Sequence, residues 1–154
     1  MPNKTDIAAA INTATQQYTK LVLVVGPPGS GKTTLLSSFS GASELPVHNV
    51  NLDVSSSLLD LTERQRMTHA ASVLSDLVSE KNGPVLLDNT EIIFDQTLAL
   101  DPIRLLTHLA RNVPVVATWS GKHLDGKLTY AIPSHPEYRS IDEVDAVIIN
   151  MDAP

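Results

Sequence analysis

Apolar positions along the chain follow two different periods. Over residues 5–18, Ile7, Ala10, Ile11, Ala14 and Tyr18 recur at the spacing of one helical face. "KLVLVV" (20–25) is instead a continuous, partly β-branched apolar run. That is the pattern of a strand covered on both sides, as in a parallel sheet. A helix is predicted from Gly31 to about Ser40, with Gly41 as its stop. "VHNVNL" (47–52) predicts a second strand, and "DVSSSLLD" (53–60) a loop or short turn. Thr62 and Gln65 have capping-box spacing. They precede a helix whose inner face is Met67, Ala70, Ala71, Leu74, Leu77 and Val78, with Asn82-Gly83-Pro84 to close it. "PVLLD" (84–88) predicts strand three. Asp101-Pro102 predicts a helix start, Asp as cap and Pro in the first turn. Ile103, Leu106, Leu109 and Ala110 face inward and Asn112 ends that helix. "VPVVAT" (113–118) and "DAVIIN" (145–150) predict strands four and five. Residues 119–142 hold few apolar runs and read as an excursion between them.

Strands that alternate with helices of about ten residues imply βαβ units. The predicted fold is therefore α/β, three-layered (α/β/α), with a mainly parallel five-stranded sheet. The 154 residues suit one domain over 1–154, with an N-terminal helix in 1–19 and a core in 20–150. Five strands fill it, and no C-terminal lid domain is expected.

Composition narrows the function classes. There is no cysteine, which excludes disulfides and thiolate metal sites. The start of the chain lacks a signal-like apolar core, and no apolar run reaches the ~20 residues that cross a bilayer. A cytoplasmic protein with no membrane partner is expected. The net charge is −6, and eleven Lys and Arg are spread along the chain. That argues against a basic nucleic-acid face, so DNA contact is expected to be at most indirect.

The chemistry is concentrated at "GPPGSGKT" (26–33), which fits G-x-x-x-x-G-K-[ST], the phosphate loop or Walker A motif. It follows a predicted strand and opens a predicted helix, as the motif requires. Gly26, Gly29 and Gly31 permit the turns and keep side chains away from phosphate. Pro28 and its neighbour Pro27 have no N–H, so the amide cradle is built from Gly29, Ser30 and Gly31 onward into Thr34. The helix N-terminus favours an anion. Lys32 is suited to the β and γ phosphates and Thr33 to Mg²⁺. The expected cofactors are ATP or another NTP and Mg²⁺. By chance the pattern arises in roughly 1% or fewer of chains this size.

A second acid must hold the metal, usually through water. Asp88, ending "VLLD", fits, and Asp53 is a weaker competitor. Hydrolysing ATPases of the additional-strand type commonly place Glu directly after this Asp. Here that position is Asn89, which orients water but takes no proton, and Glu91 follows two residues later as the candidate base. Slow or partner-dependent hydrolysis is expected. Thr118, ending strand four, is the candidate contact to the γ-phosphate or the attacking water. Arg139 is the sole arginine between strands four and five, hence the candidate finger for a neighbouring subunit's site. Trp119 is assigned to core or interface. The five histidines show no metal spacing.

"GPPGSGKTTLL", "LLDLTERQR", "LLDNTEIIFDQTLALDPIRLL" and "LTYAIPSHPEYR" together resemble the BrxF family, small P-loop proteins of type 3 BREX phage-defence systems. The likeness runs from about residue 20 to 150. It implies an AAA-like ATPase component of a larger bacterial defence assembly, with other BREX proteins as partners. An exposed nucleotide site further implies a homo-oligomer whose neighbouring subunit closes it. Two other readings stay open: a nucleotide-binding scaffold or switch with negligible turnover, and a small-molecule kinase. The kinase reading lacks the cluster of cations that clamps a transferred phosphoryl group, since 119–142 offers only Lys122, Lys127 and Arg139.

Overall fold

The computed structural model describes residues 2–79 and 83–151. Strand β1 (Leu21–Gly26) is buried throughout. Leu21, Leu23 and Val25 enter one hydrophobic core, Val22 and Val24 a second. Because both faces are covered, the strand tolerates no polar position, which explains the unbroken apolar run. Each such side chain contributes about 1.5–3 kcal/mol by leaving water.

The remaining strands are β2 (Val47–Asn49), β3 (Val85–Asp88), β4 (Val115–Leu124), β5 (Lys127–Tyr130), β6 (Arg139–Asp142) and β7 (Val147–Asn150). Five form a parallel path in the order β2-β3-β4-β1-β7. β4, inserted between β1 and β3, is the additional strand. The helices are α1 (Lys4–Thr15), α2 (Lys32–Ser43), α3 (Val50–Leu58), α4 (Glu63–Ser79) and α5 (Pro102–Leu109). α1 and α2 pack on one face of the sheet, and α3, α4 and α5 on the other. The fold is the expected three-layer α/β/α P-loop NTPase core.

Caps fall where polar residues precede apolar periods. Thr62 and Gln65 exchange side-chain and backbone hydrogen bonds at 3.0 and 3.2 Å. Asp101 accepts from Arg104 N at 3.2 Å. Asn3 and Asp6 form the same reciprocal box at the start of α1.

Several expectations are corrected. Residues 53–60 are mostly helix, because Asn49 caps Leu52 N at 3.0 Å and Val50, Val54 and Leu58 bury one face. The second strand is accordingly cut to three residues. Gly41 does not stop α2; it sits inside, and the helix ends at Glu44 in a left-handed conformation. Tyr18 lies beyond α1, exposed under the Arg111 guanidinium. Met67 is 46% exposed and off the buried stripe of α4, which is Ala70, Leu74 and Val78. Asn82 lies outside the described residues.

The larger correction concerns the excursion. β4 runs on to Leu124, turns at Asp125-Gly126, and pairs antiparallel with β5, which pairs with β6. This three-stranded ribbon carries one sheet from five strands to seven. Its base is dry: Phe94 stacks on Tyr130 with ring centroids 3.5 Å apart, and Trp119 meets both edge-on. Trp119 Nε1 donates to Thr129 O at 3.0 Å, which places the lone tryptophan in the core.

Candidate functional site

The phosphate loop joins β1 to α2 at the carboxyl end of the sheet, where open α/β folds bind ligands. Gly29 and Gly31 take φ of 80° and 98°, a region that favours glycine. Gly26 is required for space. A Cβ there would strike Ser30 Oγ and lie 2.9 Å from Met151 Cβ. Ser30 N closes the turn onto Pro27 O at 3.1 Å, while Ser30 Oγ is buried with no hydrogen-bond partner among the described residues. The first-turn amides of α2 follow directly, the donor set an anion uses.

Lys32 opens α2 with its side chain only 8% exposed. Its Nζ donates to Gly26 O at 2.8 Å and Pro27 O at 2.9 Å. These bonds satisfy a buried ammonium that would otherwise be costly. Beside it is a cavity of about 360 Å³. One wall is Pro28, Gly29, Gly31, Lys32, Thr33 and Thr34; the other is Asp88, Asn89, Glu91 and Ser120.

The second wall is built at the ends of β3 and β4. Asp88 is 4% exposed, and its Oδ1 accepts from Asn89 N at 2.8 Å and Thr118 Oγ1 at 3.0 Å. Asn89 takes a left-handed conformation (φ 52°), which Asn tolerates better than most residues. α3 braces that turn: Asn51 N donates to Asn89 O at 2.9 Å, and Asn51 Oδ1 accepts from Ile92 N at 2.8 Å. The chain then forms a 3-10 helix, Thr90–Phe94, anchored by Thr90 Oγ1 on Thr118 O at 2.7 Å. Glu91 on this helix accepts from Ser120 Oγ at 2.9 Å.

The oxygen donors suit a hard cation. Thr33, with a hydroxyl, and Asp88, with a carboxylate, line one cavity, and Mg²⁺ takes few protein ligands because it keeps waters and substrate phosphates. Among the described residues no cluster of three or more His, Asp or Glu forms a dedicated metal cage.

The sequence matches the family described as AAA domain over residues 21–120. The chain belongs to this AAA domain family. Its phosphate loop is accordingly a nucleotide-binding device. No curated protein matches the chain. Among solved structures it is similar to AMPPCP-bound DnaA from Aquifex aeolicus (10% identity, TM-score 0.48, 95% of this chain and 44% of that one). It is also similar to C. elegans PCH-2 (18%, TM-score 0.49, 98% and 42%) and to a DNA replication initiation factor (12%, TM-score 0.43, 94% and 43%). The chain spans less than half the length of these structures.

Within this AAA domain, Pro28, Gly29, Gly31, Lys32, Thr33 and Thr34 of the loop come together with Asp88, Asn89 and Glu91 in one cavity; Gly26 and Ser30 do not line it. Thr118 does not line it. Its hydroxyl is spent on Asp88, one strand away, because Leu87 pairs with Ala117 and the next residues are therefore neighbours. The residue at the cavity is Ser120, two positions on along the same face of β4 and level with Gly26 in β1. The sequence pattern predicts strand four only to Thr118, two residues short of it. The only available signal was the i, i+2 polar repeat of Thr118 and Ser120. Arg139 lies on β6 opposite Tyr130, with Nη1 on Tyr138 O at 3.0 Å, and does not line the cavity. Asp53 is in the first turn of α3, also outside it.

Proposed function

We propose that this protein binds ATP with Mg²⁺ and hydrolyses it, as a P-loop component of a bacterial BREX-type anti-phage defence complex. The observation that carries the hydrolytic reading is Glu91, a carboxylate on the wall opposite Lys32 and Thr33. The setting rests on the resemblance of the "LLDNTEIIFD" and "LTYAIPSHPEYR" segments to the BrxF family. Residues 1–154 act as one domain in the cytoplasm, and DNA is reached at most through the assembly.

In this reading the backbone from Gly29 to Thr34 cradles the phosphates, and Lys32 neutralises charge on the β and γ groups. Thr33 and, through water, Asp88 hold Mg²⁺, which when bound withdraws charge from the phosphates. Asn89 helps to orient the attacking water, and Glu91 accepts its proton. Arg139, which does not line its own cavity, serves the site of a neighbouring copy or partner. One observation favours a second reading, a scaffold with negligible turnover: Asn89 occupies the position directly after Asp88.

ATP turnover by wild type and Lys32→Ala, with and without DNA, separates the two. Hydrolysis predicts a loss of at least about 100-fold in Lys32→Ala, the scale of removing a preorganised charge partner. Equal turnover in both proteins would sink the hydrolytic reading. Light scattering with and without ATP tests the shared site, which a nucleotide-independent monomer would contradict.

A further inference from the structure

Glu91 has little local support. It sits on a five-residue 3-10 helix, whose hydrogen-bond geometry is poorer than that of an α-helix. Its orientation must therefore come from tertiary contacts: Asn51 of α3 and Thr118 O hold the helix backbone and Thr90, and three further contacts reach the end of β4, β5 and the β5–β6 loop. Ser120 Oγ donates to Glu91 Oε1 at 2.9 Å. The Phe94 ring, at the end of the same short helix, lies parallel to Tyr130 of β5. The Gln96 amide, just beyond, donates to Pro136 O. Ser120 is itself held in place. It pairs with Gly26, the first residue of the phosphate loop, and next to it Gly121 packs against the Thr129 carbonyl with no room for a Cβ. Loop, Ser120 and Glu91 are thus linked in one line, and the ribbon packs directly beyond Ser120.

We propose that Ser120 is the positioning residue for Glu91, and that the ribbon rather than the segment after β3 sets the aim of the base. This rests on the hydrolytic reading above. The Ser120 hydroxyl occupies Oε1 and leaves Oε2 to receive the proton. In the step itself a water oxygen bonds to the γ-phosphorus, and its proton passes to Oε2. The bond to the bridging oxygen breaks, its electron pair leaving on ADP. Ser120 touches neither proton nor phosphate; it acts through Glu91.

The test uses the full chain, with kcat and KM for Mg-ATP and separate affinities for ATP and ADP. Ser120→Ala is expected to lower kcat about tenfold or more, part of what a positioned general base supplies. ATP and ADP affinities should stay within about twofold, so kcat and kcat/KM fall together. Ser120→Thr, which keeps the hydroxyl, should recover most of the rate. In a Glu91→Gln background Ser120→Ala should cost nothing further, because the serine then has no base to aim. An unchanged or higher kcat in Ser120→Ala overturns the proposal. A selective loss of ATP over ADP affinity does so too, since it would assign the hydroxyl to the terminal phosphate. If Ser120→Ala does not fold, a Ser120→Thr protein that folds but is no more active than Glu91→Gln overturns it. Turnover equal in wild type and Lys32→Ala overturns the hydrolytic reading and this inference together. Ser120→Ala equal to an active wild type overturns this inference alone.

Discussion

Burial pushes the Tyr130 hydroxyl up to about 12 from its ordinary 10.0, and the nearby Glu137 and Glu91 carboxylates act in the same direction. Folding therefore favours the neutral phenol. The stability this supplies is complete below pH 10 and is lost as pH rises from 10 towards 12. Urea unfolding across that window should show a falling stability in wild type and a flatter profile in Tyr130→Phe. The high-pH step in the phenolate difference spectrum should vanish with the substitution; identical profiles would refute the assignment. Nothing local in "LTY" announces this residue, because its partners Phe94 and Trp119 are distant in the chain. Lys32 and Thr33 were legible for the opposite reason: the cradle they belong to is contiguous in sequence. Asp88 was legible as the polar end of an apolar strand. Ser120 is hidden because the apolar run stops at Trp119, while the strand carries on through its pairing with Gly26 of β1, a contact no local pattern encodes.

Between elements, the same dependence on partners separates what could be read from what could not. β1, β3 and the first half of β4 are visible because double-sided burial removes nearly all polar residues from them; the edge strands β2 and β7 are less buried and show in the sequence as short apolar runs. The ribbon is not visible, since its strands are half-exposed and its composition is that of a loop. α3 was missed because the predicted strand over 47–52 consumed its first turn, while Ser55, Ser56 and Ser57 masked the Val50, Val54, Leu58 stripe. The ribbon's base offers a sharp test at the scale of an element. A Cβ on Gly121 would collide with the Thr129 carbonyl, which is backbone and cannot rotate away. Gly121→Ala must therefore displace β5 from β4, and with it Tyr130 and the Trp119 Nε1 bond to Thr129 O. A loss of about 3 kcal/mol, the upper end of overpacking costs, is expected in chemical denaturation. Near-ultraviolet circular dichroism should report the disturbed aromatic cluster. An Ala variant as stable as wild type would show that the ribbon gives way easily, which would also weaken its claim to aim Glu91.

At the scale of the whole molecule, the sheet separates two cores that touch different helices: α1 and α2 on one side, α3, α4 and α5 on the other. The candidate cavity is the place where both meet, since its first wall belongs to β1 and α2 and its second to β3, β4 and the short helix braced by α3. A ligand seated there bridges the two halves and binds only when both are in place. Unfolding either half must therefore release it, and binding should raise the melting temperature without the ligand being turned over. At ligand concentrations 100 times Kd, linkage supplies about 2.7 kcal/mol. In a domain of this size that corresponds to roughly 5–10 °C. Thermal unfolding with Mg-ATP, Mg-ADP and no nucleotide measures it directly. Lys32→Ala should gain little with ligand, because the variant loses its phosphate partner; the gain is read against the variant's own unliganded melting temperature, since the substitution also removes the bonds to Gly26 O and Pro27 O. A wild-type protein unmoved by Mg-ATP would contradict nucleotide binding in this cavity. An equal rise in Lys32→Ala would place the binding energy in the backbone cradle alone, and would leave the lysine with a role only in the transition state.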